Sequence, residues 1–269
     1  MTGAPSALPS ARGGLSSLGV SWPLLIALLA LLCVLGVERI DVLADPDTYL
    51  HLGAGRWMLA HGAVPATDPF SHSLPGAPWL AHEWLAELML TGAYQWAGWT
   101  GLGALVALTF AATLAYLMRF LLARMEPVHA VFFTMYAACM LAAHLLARPH
   151  ALAWPLLALW VGTLVQALEQ HRPPPWWLLG VMVLWANLHG SFMLGIALGS
   201  GLALEATLYP PPDQRRAGAW RWWCFMALAA GAAMATPAGW QGLWFPLHLV
   251  RMSVALDLIG EWRSPMKLR

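Results

Sequence analysis

The residues best suited to chemistry lie just after the first apolar segment of the chain. The stretch "DPDTYLH" brings together Asp45, Asp47 and His51, with the histidine one helical turn beyond the second acid. A carboxylate in such a place can act as a general base that takes a proton from a hydroxyl group. An acid beside a proline can instead begin a helix, because acids favour helix N-termini. Both interpretations apply to each aspartate.

Further polar groups recur where other apolar segments end. Some lie at the end of the loop that begins with the two aspartates. Others belong to the stretches "ARPH" and "NLHG". Ionisable groups at membrane depth are costly and usually mark a function. We therefore expect these groups to meet at one face of the protein. They are His82, Glu83, Glu87, Arg148, His150, Asn187 and His189.

A metal site is one alternative use of the same residues. "HEWLAE" begins like the zinc-protease motif His–Glu–x–x–His, but Ala86 stands where the second histidine is required. A looser set of oxygen and nitrogen ligands would suit Mg or Mn. That set would consist of Asp47, His51, His82 and Glu87.

The composition is that of an α-helical membrane protein. The chain is 59% hydrophobic and 10% charged, with a mean hydropathy of +0.61. Its apolar blocks run for roughly 15–23 residues, the length that crosses a hydrocarbon core of about 30 Å. They are continuous, whereas the strands of a membrane β-barrel alternate. The net charge of +1 argues against nucleic acid as a partner, and the three cysteines lie inside apolar blocks at spacings that fit neither a disulfide framework nor a zinc site.

We predict an all-α fold, a polytopic bundle of about seven transmembrane spans. The spacing of Gly195 and Gly199 suits close contact between helices. An eighth apolar stretch, 240–259, either crosses or lies at the membrane surface. The predicted spans are 22–37, 101–123, 128–147, 151–168, 176–188, 191–208 and 222–236.

The arginines predict the orientation, because short cytoplasmic connections are enriched in basic residues. The expected arrangement is an inner (plasma) membrane protein with a disordered cytoplasmic tail at 1–20 and a single membrane domain at 21–269. The inner connections then hold Arg119, Arg124, Arg172, Arg215, Arg216 and Arg221, and the outer ones before residue 237 hold Arg39, Arg56 and Arg148.

The first outer loop, 38–100, is periplasmic or extracellular in this topology. "DTYLHLGAGRWMLAHG" and "APWLAHEWLAELMLTGAYQWAG" have apolar residues at helical spacing and predict two amphipathic helices on the membrane surface. The second would place Trp79, His82, Glu83 and Glu87 on one side of a helix.

This arrangement resembles the GT-C superfamily of polytopic glycosyltransferases, such as the protein O-mannosyltransferases and the aminoarabinose transferases that act on lipid A. The likeness lies in the acidic pair after the first span and the long outer loop, together with "LLARPH", "WANLHGSF" and "TPAGW". The likeness covers most of residues 20–262, and within the superfamily the sequence is similar to bacterial membrane proteins described as GT-C-like. Relatives of this kind are usually longer, so we expect a truncated version of the architecture.

The resemblance implies transfer of a sugar from a polyprenyl-phosphate donor to an envelope acceptor. By position, Asp47 or Asp45 is the expected base, and an arginine or a divalent ion would stabilise the leaving phosphate. Binding of the donor phosphate or the acceptor is expected from Arg148, Arg56, His51, His82, Glu83, His150, Asn187 and His189.

Two other functions compete with this one. The short 176–188 segment and the "NLHG" turn are typical of the broken helices of small-solute transporters. The short chain also fits a non-catalytic subunit or a fragment of an envelope-assembly system, which would have a larger protein partner.

Overall fold

The computed structural model describes residues 20–36, 42–209 and 217–251, and the regular structure in these ranges is helical. This confirms the all-α class. The helices are α1 (Trp22–Gly36), α2 (Asp47–His61), α3 (Trp84–Leu122), α4 (Pro127–Ala142), α5 (Pro149–Glu169), α6 (Leu178–Leu188), α7 (Phe192–Leu208), α8 (Ala217–Ala232) and α9 (Trp240–Arg251).

Every predicted apolar span forms a helix within the described residues. Two of these helices, α3 with 39 residues and α5 with 21, are long and apolar enough to cross a membrane. The helices α1, α4, α6 and α7 are apolar but shorter, so a bundle of about seven spans stays a prediction. The predicted tail up to residue 19 and the end of the 240–259 stretch lie outside the described residues.

Helix α3 is broken at Ala97 and Gly98. Ala97 has φ −143° and ψ 26°. Gly98 has φ 60° and ψ −145°, a backbone conformation that residues other than glycine rarely adopt. The break divides the segment before it from the apolar residues that follow. The break lies three residues before the predicted start of the next span at 101, and α3 contains both the second loop helix and that apolar segment.

The second loop helix begins later than its pattern predicts. It starts at Trp84, so the expectation that Trp79, His82 and Glu83 share one of its sides with Glu87 was wrong. Those three residues belong to the irregular segment that leads into the helix. The first loop helix is confirmed as α2, at Asp47–His61.

Backbone pairing within the loop explains the late start. Thr67 and Pro78 form an antiparallel bridge, and the N–H of Trp79 donates to the carbonyl of Ala66 over 2.9 Å. Pro78 has no N–H to donate to a helical bond. The backbone before Trp84 therefore pairs with the preceding loop and does not form a helix, although its side chains have helical spacing.

Helix α2 packs against the first part of α3 through Gly55. A Cβ atom at this position would overlap the side chain of Thr91 and the backbone carbonyl of Glu87. The absence of a side chain lets the two backbones approach, which places His51 beside Glu87.

Two apolar clusters fill the described bundle, and α5 contributes to both. The first joins α1 to α4 and the start of α5 around Leu102 and Met118. The second joins α5, α6, α7 and α8 around Trp160 and Trp185. A Cβ at Gly195 would lie 2.5 Å from Trp185, so the predicted close helix contact at this glycine is confirmed.

Helix α5 also carries charge at its two ends. Arg148 immediately precedes it and Glu169 closes it, with no Asp, Glu, Lys or Arg between them. Its 21 residues correspond to a length of about 30 Å. Two charged regions therefore stand at opposite ends of one apolar helix.

Candidate functional site

Asp45 and Arg148 form a two-point ion pair between the starts of α2 and α5. The Nε and Nη2 groups of Arg148 donate to the two carboxylate oxygens of Asp45, with Nη2–Oδ1 at 2.8 Å. The Asp45 side chain is 4% exposed, and its Oδ1 also accepts the backbone N–H of Asp47 at 3.1 Å. Both oxygens of Asp45 are thus engaged, one of them at the beginning of α2.

Backbone contacts hold the two strips of chain together around this pair. The N–H of Ala147 donates to the carbonyl of Val42 over 2.8 Å, and the hydroxyl of Thr48 donates to the carbonyl of Ala147 over 3.3 Å. Thr48 is completely buried. The predicted meeting of the "DPD" and "ARPH" segments is therefore confirmed.

Asp47 has a different environment from Asp45. Its side chain is 54% exposed, and its Oδ2 lies 3.0 Å from Nη2 of Arg148. Asp45 rather than Asp47 accepts the first N–H of α2. Asp47 consequently offers an accessible carboxylate next to a fixed guanidinium group.

Beside the aspartates lies a cluster of histidines and glutamates. Oε1 of Glu83 lies 3.6 Å from Nε2 of His82 and 3.4 Å from Nε2 of His189. Oε1 of Glu87 lies 3.4 Å from Nδ1 of His51. These groups come from α2, the start of α3 and the α6–α7 turn, so the predicted convergence of separated segments is confirmed.

The environment of Glu83 changes its acidity. Burial is the main cause that raises the pKa of this carboxyl, and the charges of Glu87 and Asp47 act in the same direction. His82 and His51 oppose burial with smaller effects, although each acts more strongly than Glu87 or Asp47. Glu83 therefore keeps its proton to a higher pH than an ordinary glutamate, as suits an acid–base group.

The hydrogen bonds of His189 define its tautomer. Its Nδ1 accepts the backbone N–H of Ser191 over 3.1 Å and lies 2.8 Å from the hydroxyl of Ser191. That hydroxyl accepts the indole N–H of Trp185 over 3.0 Å. Nδ1 is therefore the acceptor and Nε2 carries the proton that faces Glu83.

Burial also keeps His189 uncharged. It lowers the pKa of the imidazole to about 3, and the charges of His150, His82 and His51 contribute in the same direction. His189 is consequently a neutral hydrogen-bond donor near pH 7. Its ring centroid lies 6.1 Å from that of His150.

Asn187, expected to bind a ligand, instead joins three parts of the fold. Its Oδ1 accepts the indole N–H of Trp84 over 2.7 Å, and its Nδ2 donates to the carbonyls of Val183 and Ala235 at 2.8 and 2.9 Å. The amide is buried. These bonds make Asn187 a structural support for the start of α3.

Two of the predicted residues make other contacts. The guanidinium of Arg56 lies 5.1 Å from the centre of the Tyr94 ring, and within the described ranges it forms no ion pair with either aspartate. His150 donates from Nε2 to the carbonyl of His144 over 2.8 Å. The structure therefore does not bring Arg56 to Asp47.

The predicted metal ligands are divided between separate contacts. Asp47 faces the cation Arg148, while His51 pairs with Glu87. In the part of the chain that the structure describes, no three His, Cys, Asp or Glu side chains are placed to share one ion. The residues as placed do not fit a Mg or Mn site, and the cation stays a prediction.

The sequence interpretation missed Ser191, and it gave no sign of which polar atoms are buried without a partner. Ser191 fixes the tautomer of His189, and short polar residues after "NLHG" give no distinctive signal. Among the described residues, Oε2 of Glu87, Nε1 of Trp79 and Oγ1 of Thr236 are buried without a hydrogen-bond partner. Such atoms seek a water or a ligand group, because leaving them unpaired is costly.

Taken together, one end of the bundle contains an exposed carboxylate, a fixed guanidinium, a carboxyl of raised pKa and a neutral histidine donor. These are the groups needed for proton transfer beside a developing negative charge. Comparisons with models of protein families, with curated proteins and with solved structures find no match to this chain.

Proposed function

We propose that the protein is a membrane-bound glycosyltransferase that moves a sugar from a polyprenyl-phosphate donor to a hydroxyl group of an envelope acceptor. The observation that carries this proposal is the exposed Asp47 carboxylate, 3.0 Å from the guanidinium of Arg148, at one end of apolar helices. A base next to a cation is what transfer from a lipid-linked phosphate requires.

In this mechanism Asp47 takes the proton from the acceptor hydroxyl. The acceptor oxygen forms a bond to the anomeric carbon as the bond from that carbon to the phosphate oxygen breaks. The phosphate leaves with the electron pair, and Arg148 stabilises its added negative charge. Asp47 can reach a substrate because its side chain is 54% exposed.

Asp45 has a positioning role in the proposal. Both of its oxygens accept hydrogen bonds from Arg148, so it is poorly placed to receive a proton from a substrate. It orients the guanidinium toward Asp47 and balances part of its charge. The two aspartates of "DPDTYLH" thus divide the two roles expected of that stretch, helix start and base.

Glu83 and His189 would bind the acceptor or the sugar. The raised pKa of Glu83 favours its protonated form, which can donate as well as accept a hydrogen bond. The Nε2–H of His189 is a second donor. His82 and the His51–Glu87 pair complete this wall. The buried oxygen of Glu87, which has no partner among the described residues, is a further atom available to a hydroxyl group.

The proposed location is the inner membrane, with the N-terminus in the cytoplasm and the site on the outer side. The arginines support this orientation, because Arg119, Arg124 and Arg172 lie at the ends of α3 and α5 remote from the site. The lipid-linked donor would approach the acidic end from the membrane.

The test is sugar transfer by purified protein in liposomes supplied with radiolabelled polyprenyl-phosphate sugars and a panel of hydroxyl acceptors. We expect Asp47→Asn to lower the rate by about 10²-fold or more, the usual contribution of a general base, with an unchanged unfolding midpoint. The control is Glu205→Gln, the same type of change at an exposed position of α7, which should leave transfer unaffected.

Two results would overturn the proposal. One is transfer by Asp47→Asn at the native rate, which would show that Asp47 is not the general base. The other is the absence of transfer with every donor by an intact native protein, which favours an accessory subunit. Asp45→Asn should lower both the transfer rate and the unfolding midpoint, because it disturbs Arg148.

A further inference from the structure

A groove opens between the ends of α3 and α5 that lie farthest from Asp45 and Arg148. It has a volume of about 680 Å³. Residues of the last turns of α3, the last turns of α5 and the segment before α6 line it. They include Tyr116, Arg119, Phe120, Arg124, Gln166 and Arg172.

The groove is strongly basic. Three arginines line it, and no acidic residue does. Arg119 and Arg172 are exposed, and within the described ranges their side chains form no ion pair and no hydrogen bond. Two positive charges therefore face the space without a partner among the described residues.

The third arginine is fixed rather than free. Arg124 donates from Nε and Nη2 to the carboxylate of Glu169 at 2.9 and 2.5 Å, and from Nη1 to the carbonyl of Phe120 at 2.9 Å. Its guanidinium also lies 3.6 Å from the centre of the Phe120 ring. Glu169 thus occupies the side of Arg124 that an anionic ligand would otherwise contact.

The rest of the lining is apolar or carries hydrogen-bond donors. Phe120, Leu159 and Trp177 supply apolar surface, while Tyr116 and Gln166 supply polar groups. A groove that combines guanidinium groups unpaired among the described residues with an apolar wall suits a phosphate attached to a hydrocarbon tail. Inorganic phosphate would use the arginines but would leave the apolar wall unoccupied.

The position of Tyr116 depends on a glycine of the facing helix. A Cβ on Gly162 would lie 2.5 Å from the hydroxyl oxygen of Tyr116. The phenol can therefore lie directly on the backbone of α5, where it forms the floor between the two helices. This contact indicates a shaped groove rather than a simple gap.

The distance from the acidic site places the groove at the opposite surface of a membrane. Arg148 precedes α5 and Arg172 follows it, and the 21 residues of α5 span about 30 Å. That length equals the usual thickness of the hydrocarbon core. The three arginines then lie at the level of lipid headgroups, where basic side chains attract anionic lipids.

We propose that this groove binds the phosphate headgroup of an anionic phospholipid, with the first part of an acyl chain against its apolar wall. Arg119 and Arg172 are the main phosphate contacts. This inference depends on α3 and α5 crossing a membrane and does not depend on sugar transfer, so either proposal can fail alone.

The experiment titrates the full-length protein in detergent with a short-chain phosphatidylglycerol, and native mass spectrometry counts the bound lipid. Parallel arms use phosphatidylcholine of the same chain length and inorganic phosphate. We expect phosphatidylglycerol to bind more tightly than either. Arg119→Gln and Arg172→Gln should each weaken its binding about fivefold, the usual effect of one basic residue near an anionic surface.

The matched control is Arg221→Gln, which removes an exposed arginine of α8 that does not line the groove. It should leave the affinity unchanged. Glu169→Gln should raise the affinity, because it releases Arg124 for the phosphate. A gain of binding cannot result from misfolding, so this variant separates the proposal from general damage.

Several results would overturn the inference. Equal affinity for phosphatidylglycerol and phosphatidylcholine would show that the groove does not select an anionic headgroup. Equal affinity for phosphatidylglycerol and inorganic phosphate would show that the acyl chain contributes nothing to binding. Weakening by Arg221→Gln to the same extent as Arg119→Gln would show a diffuse surface attraction. A loss of affinity in Glu169→Gln would also contradict the proposed role of Arg124.

Discussion

The two ends of α5 each carry an arginine–carboxylate pair, yet the pairs differ in their surroundings. At the start, the side chains of Asp45 and Arg148 are 4% and 20% exposed. At the end, those of Arg124 and Glu169 are 24% and 48% exposed. The first pair connects α2 to α5 within a network of further contacts, whereas the second connects the ends of α3 and α5 next to open space.

The difference shows that similar ion-pair geometry can serve different purposes. A buried pair is hard to break, because either partner left alone is an uncompensated charge in an apolar environment. An exposed pair contributes little, because water solvates both groups when they separate. We therefore assign a structural and positioning role to the Asp45–Arg148 pair. The Arg124–Glu169 pair can open at little cost in free energy.

The largest expected effect comes from breaking the buried pair. Arg148→Met leaves the Asp45 carboxylate unpaired and should lower the free energy of unfolding by about 3–5 kcal/mol. Denaturant titration in detergent micelles measures this change. Arg119→Met, at an exposed arginine without an ion pair among the described residues, should change it by less than about 0.5 kcal/mol. Similar small losses in both variants would show that the two ends do not differ.

The close packing beneath the site end provides the next test. In Gly55→Ala the new methyl group overlaps Thr91 and the backbone of Glu87, so we expect a loss of about 1–3 kcal/mol in the free energy of unfolding. Gly53→Ala is the control on the same helix, since its methyl group meets only Phe70, at 3.9 Å. Because alanine favours helix, it should be neutral or stabilise by up to about 1 kcal/mol. Equal effects would argue against the tight α2–α3 contact.

A third test uses the pH dependence of the site end. The pKa of His189 falls from 6.5 to about 3 in the folded protein, so below pH 6.5 the unfolded chain binds a proton that the folded chain does not. Stability should therefore fall as the pH drops from 6.5 toward 3. His189→Gln removes this contribution and should give a shallower loss of the unfolding midpoint with acid.

Glu83 has the opposite effect on the pH dependence of stability. Burial raises its pKa above the ordinary value of 4.5, so in the window just above pH 4.5 the folded chain binds more protons than the unfolded chain. Its contribution to stability is lost as the pH rises, and Glu83→Gln should remove that loss. His129→Gln, at an exposed histidine of α4, should leave the profile as in the native protein. An unchanged profile in His189→Gln would contradict the burial of its imidazole.

The smallest expected effect comes from the exposed pair. Arg124→Gln should lower the free energy of unfolding by no more than about 1 kcal/mol, the usual limit for a surface ion pair. High salt should reduce the effect further, because solvent-exposed charges are screened. A loss as large as that in Arg148→Met would show that the Arg124–Glu169 pair is also structural.

The helices of the bundle could be predicted closely from the sequence. The predicted spans 22–37 and 191–208 correspond to α1 (Trp22–Gly36) and α7 (Phe192–Leu208). Continuous apolar runs bounded by polar or turn-forming residues contain enough local information for such boundaries. Other boundaries were missed by several residues, because α4 ends at Ala142 rather than 147 and α8 spans Ala217–Ala232 rather than 222–236. The start of α3 was missed because the bridge between Thr67 and Pro78 competes with the helical pattern.

The site could be predicted as a set of segments but not as a set of contacts. Asp45 and Arg148 are separated by 103 residues, and nothing local in the sequence indicates which aspartate the arginine binds. Arg56 has the same charge and lies nearer in sequence, yet it contacts Tyr94. These choices depend on tertiary packing, and the close approach of α2 to α3 at Gly55 is part of that packing.

In the proposed membrane arrangement, the uncharged length of α5 also determines how the protein would respond to a bilayer of the wrong thickness. Hydrophobic mismatch is relieved by tilting, by bilayer deformation or by flexible side chains that reach for the interface. Arg148 is held by two aspartates and cannot extend, whereas the side chains of Arg119 and Arg172 pair with no described residue and can extend. The protein would then adjust at its arginine-rich end while the geometry around Asp47 stays fixed, so a change in membrane thickness would alter lipid binding before it altered the acidic site.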